Sequence, residues 1–145
     1  MTDQVLPVFV YGSLRKGFWN YEALLQGNTV KEVRAEIVGN LHEAYAGGFP
    51  ALLEGSHLVK GELMYLDGFK YDILMRRLDR LEGYKEYDLE NSMYIRECRT
   101  VWDSVNDKEV KAWVYIWNRK IVGKLIESGC YAEHKKNDAW EHGIL

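Results

Sequence analysis

The sequence is poor in cysteine and proline, with two of each among 145 residues. Cys98 and Cys130 cannot supply the disulfide framework of a small secreted domain, and they fit a reducing compartment. Basic residues are not in excess. Nineteen Lys and Arg stand against 22 Asp and Glu, a formal net charge of -3. A chain without a basic field has no general attraction for nucleic acid or an anionic membrane surface. No apolar run approaches the ~18 residues of a membrane-spanning helix. The opening Met1-Thr2-Asp3-Gln4 has an acid where a secretory signal needs basic residues. His42, His57, His134 and His142 form no H-x-x-x-H pair, and no C-x-x-C occurs, so no local metal site is expected. Internal repeats, low-complexity tracts and linkers are missing as well.

What is present suits a folded chain. A hydrophobic content of 47%, with 13% aromatic residues, excludes wholesale disorder. The length suits one domain over residues 1–145, expected in the cytoplasm. Val8-Phe9-Val10 reads as a strand that stops abruptly at Tyr11-Gly12-Ser13-Leu14, followed by the basic Arg15-Lys16-Gly17. Asn20 offers a cap for a helix carrying Tyr21, Leu24 and Leu25. A strand, a glycine-containing turn and a helix start gather backbone N–H groups around one concave spot. Two readings stay open for that turn: an anion cradle, or an ordinary tight turn after a buried strand.

Further along, Thr29 to Ala46 reads as one or two strands, with a bend or bulge at Gly39-Asn40. Gly47-Gly48-Phe49-Pro50 is a loop signal, and a strand resumes over Leu58 to Leu66. Asp67 caps a helix from about Gly68 to Glu82, which Gly83 ends. On that helix Tyr71, Leu74, Met75, Leu78 and Leu81 share one arc, while Asp72, Arg76, Asp79 and Arg80 share the opposite one. Glu82 breaks the charge pattern by projecting between Tyr71 and Met75. Burial there, and the negative end of the helix dipole, would both raise its pKa toward the range of a general base. The plainer reading is a glutamate curling off a helix end into water. Ser92 to Trp102 and Glu109 to Trp117 form a hairpin, the second strand apolar on both faces and so central or within a barrel. A short strand or turn over Ile126 to Gly129 and a polar tail complete the chain. These elements predict an α+β domain with a curled mixed or antiparallel sheet, or barrel, and a few packed helices.

Tyr11-Gly12-Ser13-Leu14, Gly48-Phe49-Pro50-Ala51, Gly61-Glu62-Leu63 and Leu78-Asp79-Arg80-Leu81-Glu82-Gly83 stand in an order that resembles the gamma-glutamylcyclotransferase-like (AIG2-like) family. Tyr94-x-Arg96 and Ala112-Trp113-Val114-Tyr115 extend the likeness, which covers about residues 7 to 118. It departs where the family commonly has Gly-Asp-Trp and this chain has Gly129-Cys130-Tyr131. The resemblance implies that family's fold. It also implies cyclisation of a gamma-glutamyl amine or amino acid to 5-oxoproline, with release of the amine. In that reading Glu82 is the general base and acid, and Tyr11, Gly12, Ser13 and Leu14 hold the glutamyl head. The only partner implied is the small-molecule gamma-glutamyl substrate, with no metal and no cofactor. The alternative is a module on the same fold that binds a small carboxylate or a protein partner without turnover.

Other chemistries fit less well. Gly12 and Gly17 have P-loop spacing, but Phe18-Trp19 replaces the Lys-Ser/Thr pair. Ser13 lacks the G-x-S-x-G elbow of a hydrolase. Tyr94 and Arg96 share a strand face, from which they either reach a substrate or Arg96 pairs with an acid, the structural role being the preferred reading. Trp102, Trp113 and Trp117 are read as core or sheet-packing residues rather than base-stacking platforms.

Overall fold

In the computed structural model, which describes residues 5–44, 49–120 and 122–135, the first strand is β1 (Val8–Val10). It is three residues long and buried on both faces, as an all-apolar, β-rich run requires. Two cores meet along it. Val8 and Val10 pack with Tyr71, Leu74, Met75 and Leu78, whereas Phe9 and Tyr11 pack with residues from every other strand.

The second strand, β2 (Thr29–Glu43), is continuous and pairs antiparallel with β3 (Pro50–Leu66). The bend expected at Gly39-Asn40 is there. Gly39 pairs with His57 but Asn40 pairs with Leu53, so residues 54–56 of β3 drop out of the ladder. This irregularity explains why the strand starts at Pro50 and not at Leu58. Glu54-Gly55-Ser56 has turn composition but forms a bulge inside one strand. Of the expected 47–50 loop, residues 47 and 48 lie outside the described residues, as do 45 and 46 before them.

Asp67 caps the next helical segment as expected, since its carboxylate accepts from the Phe69 N–H at 3.0 Å. One 3₁₀ turn, Gly68–Lys70, leads into α1 (Tyr71–Leu81). Glu82 is its C-cap, and Gly83 comes next at φ 65°, the left-handed conformation that a helix-ending glycine supplies. The hairpin of β4 (Tyr94–Asp103) and β5 (Lys108–Trp117) pairs from Tyr94↔Trp117 to Asp103↔Lys108. Its turn is held by Asp103, which accepts from the N–H groups of Val105 and Asn106.

The strands close into a barrel in the order β1-β3-β2-β4-β5. All neighbours are antiparallel except β1 and β5, which meet in parallel at Val8↔Trp113. The fold is therefore α+β with a mixed sheet. The barrel interior is the Phe9, Val33, Ile37, Leu63 and Val114 cluster, and α1 packs on its outside. Trp117 is buried edge-on against Tyr94, while Trp102 is half exposed. Ile126 to Gly129 is a turn, with the Gly129 N–H on the Ile126 carbonyl, and a helical turn succeeds it over 131–135. No helix among the described residues is long and apolar enough to cross a membrane.

Candidate active site

Where β1 runs out, the chain turns sharply. The Arg15 N–H closes on the Gly12 carbonyl at 3.0 Å. The Tyr21 N–H reaches back to the Ser13 carbonyl at 3.2 Å, and the Asn20 amide donates to Ser13 Oγ at 2.7 Å. Asn20 thus ties the turn down and does not cap the one-turn helix Tyr21–Leu25. The amides of Tyr21 and Glu22 are already taken, by Ser13 and Phe18. Those two amides are therefore not open to a bound group. Among the described residues no acceptor takes the N–H groups of Gly12, Ser13 and Leu14.

These residues line a cavity of about 180 Å³ together with Phe9, Val10, Tyr11, Asn20, Phe49, Pro50, Leu81, Glu82, Met93, Tyr94 and Tyr115. An apolar cavity of ~150 Å³ holds one benzene molecule, so this space is large enough for one ring-sized head group. All five residues expected at the site, Tyr11, Gly12, Ser13, Leu14 and Glu82, border this one space. None of the described lining residues is Lys or Arg, so an anion there would meet neutral donors, backbone N–H groups and the Ser13 and Asn20 side chains among them.

Glu82 reaches the cavity because it is the last residue to keep helical backbone before Gly83 turns the chain. It is half-buried, as a group bordering an open cavity must be. Burial raises its carboxyl to about 7, and the negative charge of Asp79 pushes in the same direction. The neighbouring carboxylate is a cause that the sequence reading did not name. Near neutral pH the group is poised between accepting and donating a proton.

Three phenols build the wall and are committed to it. Tyr11 OH donates to the Tyr115 carbonyl at 2.5 Å, and Tyr94 OH to the Pro50 carbonyl at 2.6 Å. Tyr115 OH donates to Asp79 Oδ1 at 2.7 Å. Burial pushes Tyr11 and Tyr115 well above the usual phenol value, so both are neutral donors. Tyr11 accordingly borders the site with its hydroxyl engaged elsewhere. Arg96 Nε lies 3.1 Å from Asp79 Oδ1, and its guanidinium sits over the rings of Trp113 and Tyr84. That Nε points poorly for a hydrogen bond, so charge attraction and ring stacking hold it. Arg96 pairs with an acid, as its placement suggested, and stays off the cavity wall.

Sequence reasoning missed Phe49, Pro50, Leu81, Met93 and Tyr115 as wall residues. Phe49-Pro50 and Tyr115 lay within stretches that carried the family likeness, which was the available signal. It also placed Asp79 on the solvent arc, whereas Arg96 and Tyr115 draw it inward. The Gly129-Cys130-Tyr131 departure does not border the cavity. Tyr131 stacks on Phe18, Arg15 reaches Cys130 Sγ, and Gly129 at φ 67° passes close to the Leu58 carbonyl.

The family described as gamma-glutamyl cyclotransferase, AIG2-like, matches residues 8–133. A Methanocaldococcus jannaschii protein, provisionally named a gamma-glutamylcyclotransferase, is 34% identical over 131 residues, covering 88% of this chain and 97% of its own. Among solved structures, an uncharacterized Pyrococcus horikoshii protein has a TM-score of 0.61 at 23% identity, over 94% of this chain and 98% of its own. A mouse AIG2-like protein has a TM-score of 0.58 at 25% identity, over 79% and 78%. These structures share the fold.

Proposed function

The chain belongs to the gamma-glutamyl cyclotransferase, AIG2-like family, and from that premise we propose that it cyclises the gamma-glutamyl group of a small molecule to 5-oxoproline and releases an amine. The substrate's α-amine and its side-chain amide carbonyl lie in one molecule. Folding that molecule into an attack-ready shape is the first contribution, since well-oriented intramolecular reactions recover roughly 7–11 kcal/mol of barrier. A cavity of about 180 Å³ has room for a ring of that size, which supports the reading.

The α-amine enters as an ammonium, and Glu82 takes its proton. The freed nitrogen attacks the amide carbon, a C–N bond forms, and the carbonyl oxygen becomes an oxyanion. The N–H groups of Gly12, Ser13 and Leu14 are candidate donors for that oxyanion or for the substrate carboxylate. The attacking nitrogen, now positively charged, gives up a second proton, collapse breaks the original amide bond, and Glu82 relays the two protons in turn to the departing nitrogen, which leaves as an ammonium. The acid and base are one group, so the cycle closes without net change in the protein. The reaction unit is the single domain, working in a reducing cytoplasm where Cys98 and Cys130 stay free.

One observation supports this reading most: a half-buried carboxyl poised near pH 7 shares a cavity with a turn of unclaimed amides. The test is to incubate the folded protein with gamma-glutamyl methylamide and a panel of gamma-glutamyl amines and amino acids and assay 5-oxoproline. Glu82→Gln is expected to keep substrate binding and lose at least ~10²-fold in kcat. No product from any compound sinks the reaction, and an unchanged rate removes Glu82 from it.

A further inference from the structure

Asp79 and Glu82 lie three residues apart at the end of one helix, close enough for their side chains to interact. Their surroundings differ. Asp79 Oδ1 receives the Tyr115 hydroxyl at 2.7 Å and faces the Arg96 guanidinium at 3.1 Å, both partners being largely buried. Two such partners on one oxygen favour the ionised form. Glu82 has the cavity in front of it and that fixed negative charge behind it. Paired carboxyl groups whose environments differ in this way divide the work, one staying charged and the other exchanging protons. Tyr115 joins the two, because the residue that clamps Asp79 also forms the cavity wall beside Glu82.

We propose that Asp79, clamped between Tyr115 and Arg96, is a positioning residue that sets the basicity of Glu82 from behind the cavity. The proposal rests on the cyclisation described above. Asp79 does not touch the substrate. It opposes the ionisation of Glu82, so that the carboxylate, once formed, is basic enough to strip the α-ammonium. It also keeps the protonated form populated for delivery to the leaving nitrogen. Among the described residues the titratable groups that share the cavity with Glu82 are Tyr11 beyond β1, Tyr94 on β4 and Tyr115 on β5, while Arg96 on β4 faces it only across Asp79. The buried phenols Tyr11 and Tyr115 are neutral, so among the described residues Asp79 and Arg96 are the charges on which the proposal turns.

The test compares the full chain with Asp79→Asn and Arg96→Gln. Glu82 is followed directly by carboxyl-carbon NMR titration, with its resonance assigned from Glu82→Gln. The pH profile of kcat/KM for gamma-glutamyl methylamide is measured in parallel. Asp79→Asn removes the fixed negative charge and should lower both midpoints together, by about one pH unit or somewhat less. KM should change little while kcat falls. Arg96→Gln leaves Asp79 less compensated and should move both midpoints the other way, so it carries the test if Asp79→Asn fails to fold. A structural role alone would reduce the folded fraction and leave the midpoints in place. Product formed with unmoved midpoints overturns the proposal alone. No product from the wild-type chain overturns the reaction and the proposal together.

Discussion

The ring of Pro50 closes on Gly12 so tightly that a Cβ on Gly12 would stand 2.6 Å from Pro50 Cγ. Both residues border the cavity, one at the end of β1 and the other at the start of β3. Gly12 is thus required by a neighbouring strand and not by a left-handed backbone. Gly12→Ala should displace Pro50, cost about 1–3 kcal/mol from overpacking, and raise KM by reshaping the wall. Urea unfolding and steady-state kinetics check this together. Unchanged stability and KM would mean that the contact relaxes freely.

Pro50 is held in turn by Tyr94, whose hydroxyl donates to its carbonyl at 2.6 Å in a buried setting. Tyr94→Phe removes the donor, leaves the carbonyl short of a partner, and should cost about 1–2 kcal/mol. The expected readout is a lower urea midpoint with an unchanged m-value, since the folded state stays as compact.

Glu82 links stability to pH with a definite sign. Its pKa rises from 4.5 to about 7 on folding, so between those values the folded chain binds more protons than the unfolded one. Stability is then highest below the lower value and falls as pH rises through the upper one. The upper bound of that loss is ~3 kcal/mol, reduced by whatever water in the cavity screens. Glu82→Gln removes the effect. It should melt higher than wild type at pH 8 and show no such advantage at pH 4, measured by calorimetry. An equal difference at both pH values would contradict the raised pKa.

The unclaimed amides of Ser13 and Leu14 can be watched directly. Adding 5-oxoproline to the ¹⁵N-labelled protein should shift these two amide protons downfield, as a new carboxylate acceptor does. The Tyr21 amide, already bonded to the Ser13 carbonyl, should move much less. Equal shifts across Ser13, Leu14 and Tyr21 would argue against a specific cradle.

Much of this site is legible along the chain because its parts end in abrupt local signals. The apolar run Val8-Phe9-Val10 reads as a buried strand, and Gly12-Ser13 breaks it. The arc of Tyr71, Leu74, Met75 and Leu78 sets the buried face of α1, and all four are buried. Leu81 belongs to the same arc by periodicity yet is 41% exposed, because the helix overhangs the cavity there. Asp79 fails in the opposite direction. Periodicity sends it to solvent, but Arg96 and Tyr115 arrive from the β4–β5 hairpin and give it partners. Turn composition at Glu54-Gly55-Ser56 likewise hid a bulge within β3, since a register shift has no local signature apart from the partner strand.

Local order comes from short-range rules: backbone sterics stop a strand at glycine, an aspartate side chain caps a helix, and a 3.6-residue period sorts a helix into faces. Those rules placed the turn after β1 and put Glu82 on the edge of a buried arc. They could not decide whether Glu82 met water or a cavity. That depended on barrel closure, which brings the ends of β1 and α1, the starts of β3 and β4, and Tyr115 of β5 to one point. A pKa is set by every charge and every excluded water within a few ångströms, whatever the separation along the chain. The position of the carboxyl proposed to carry the proton was therefore written locally, and its poise near neutral pH was decided by the tertiary structure.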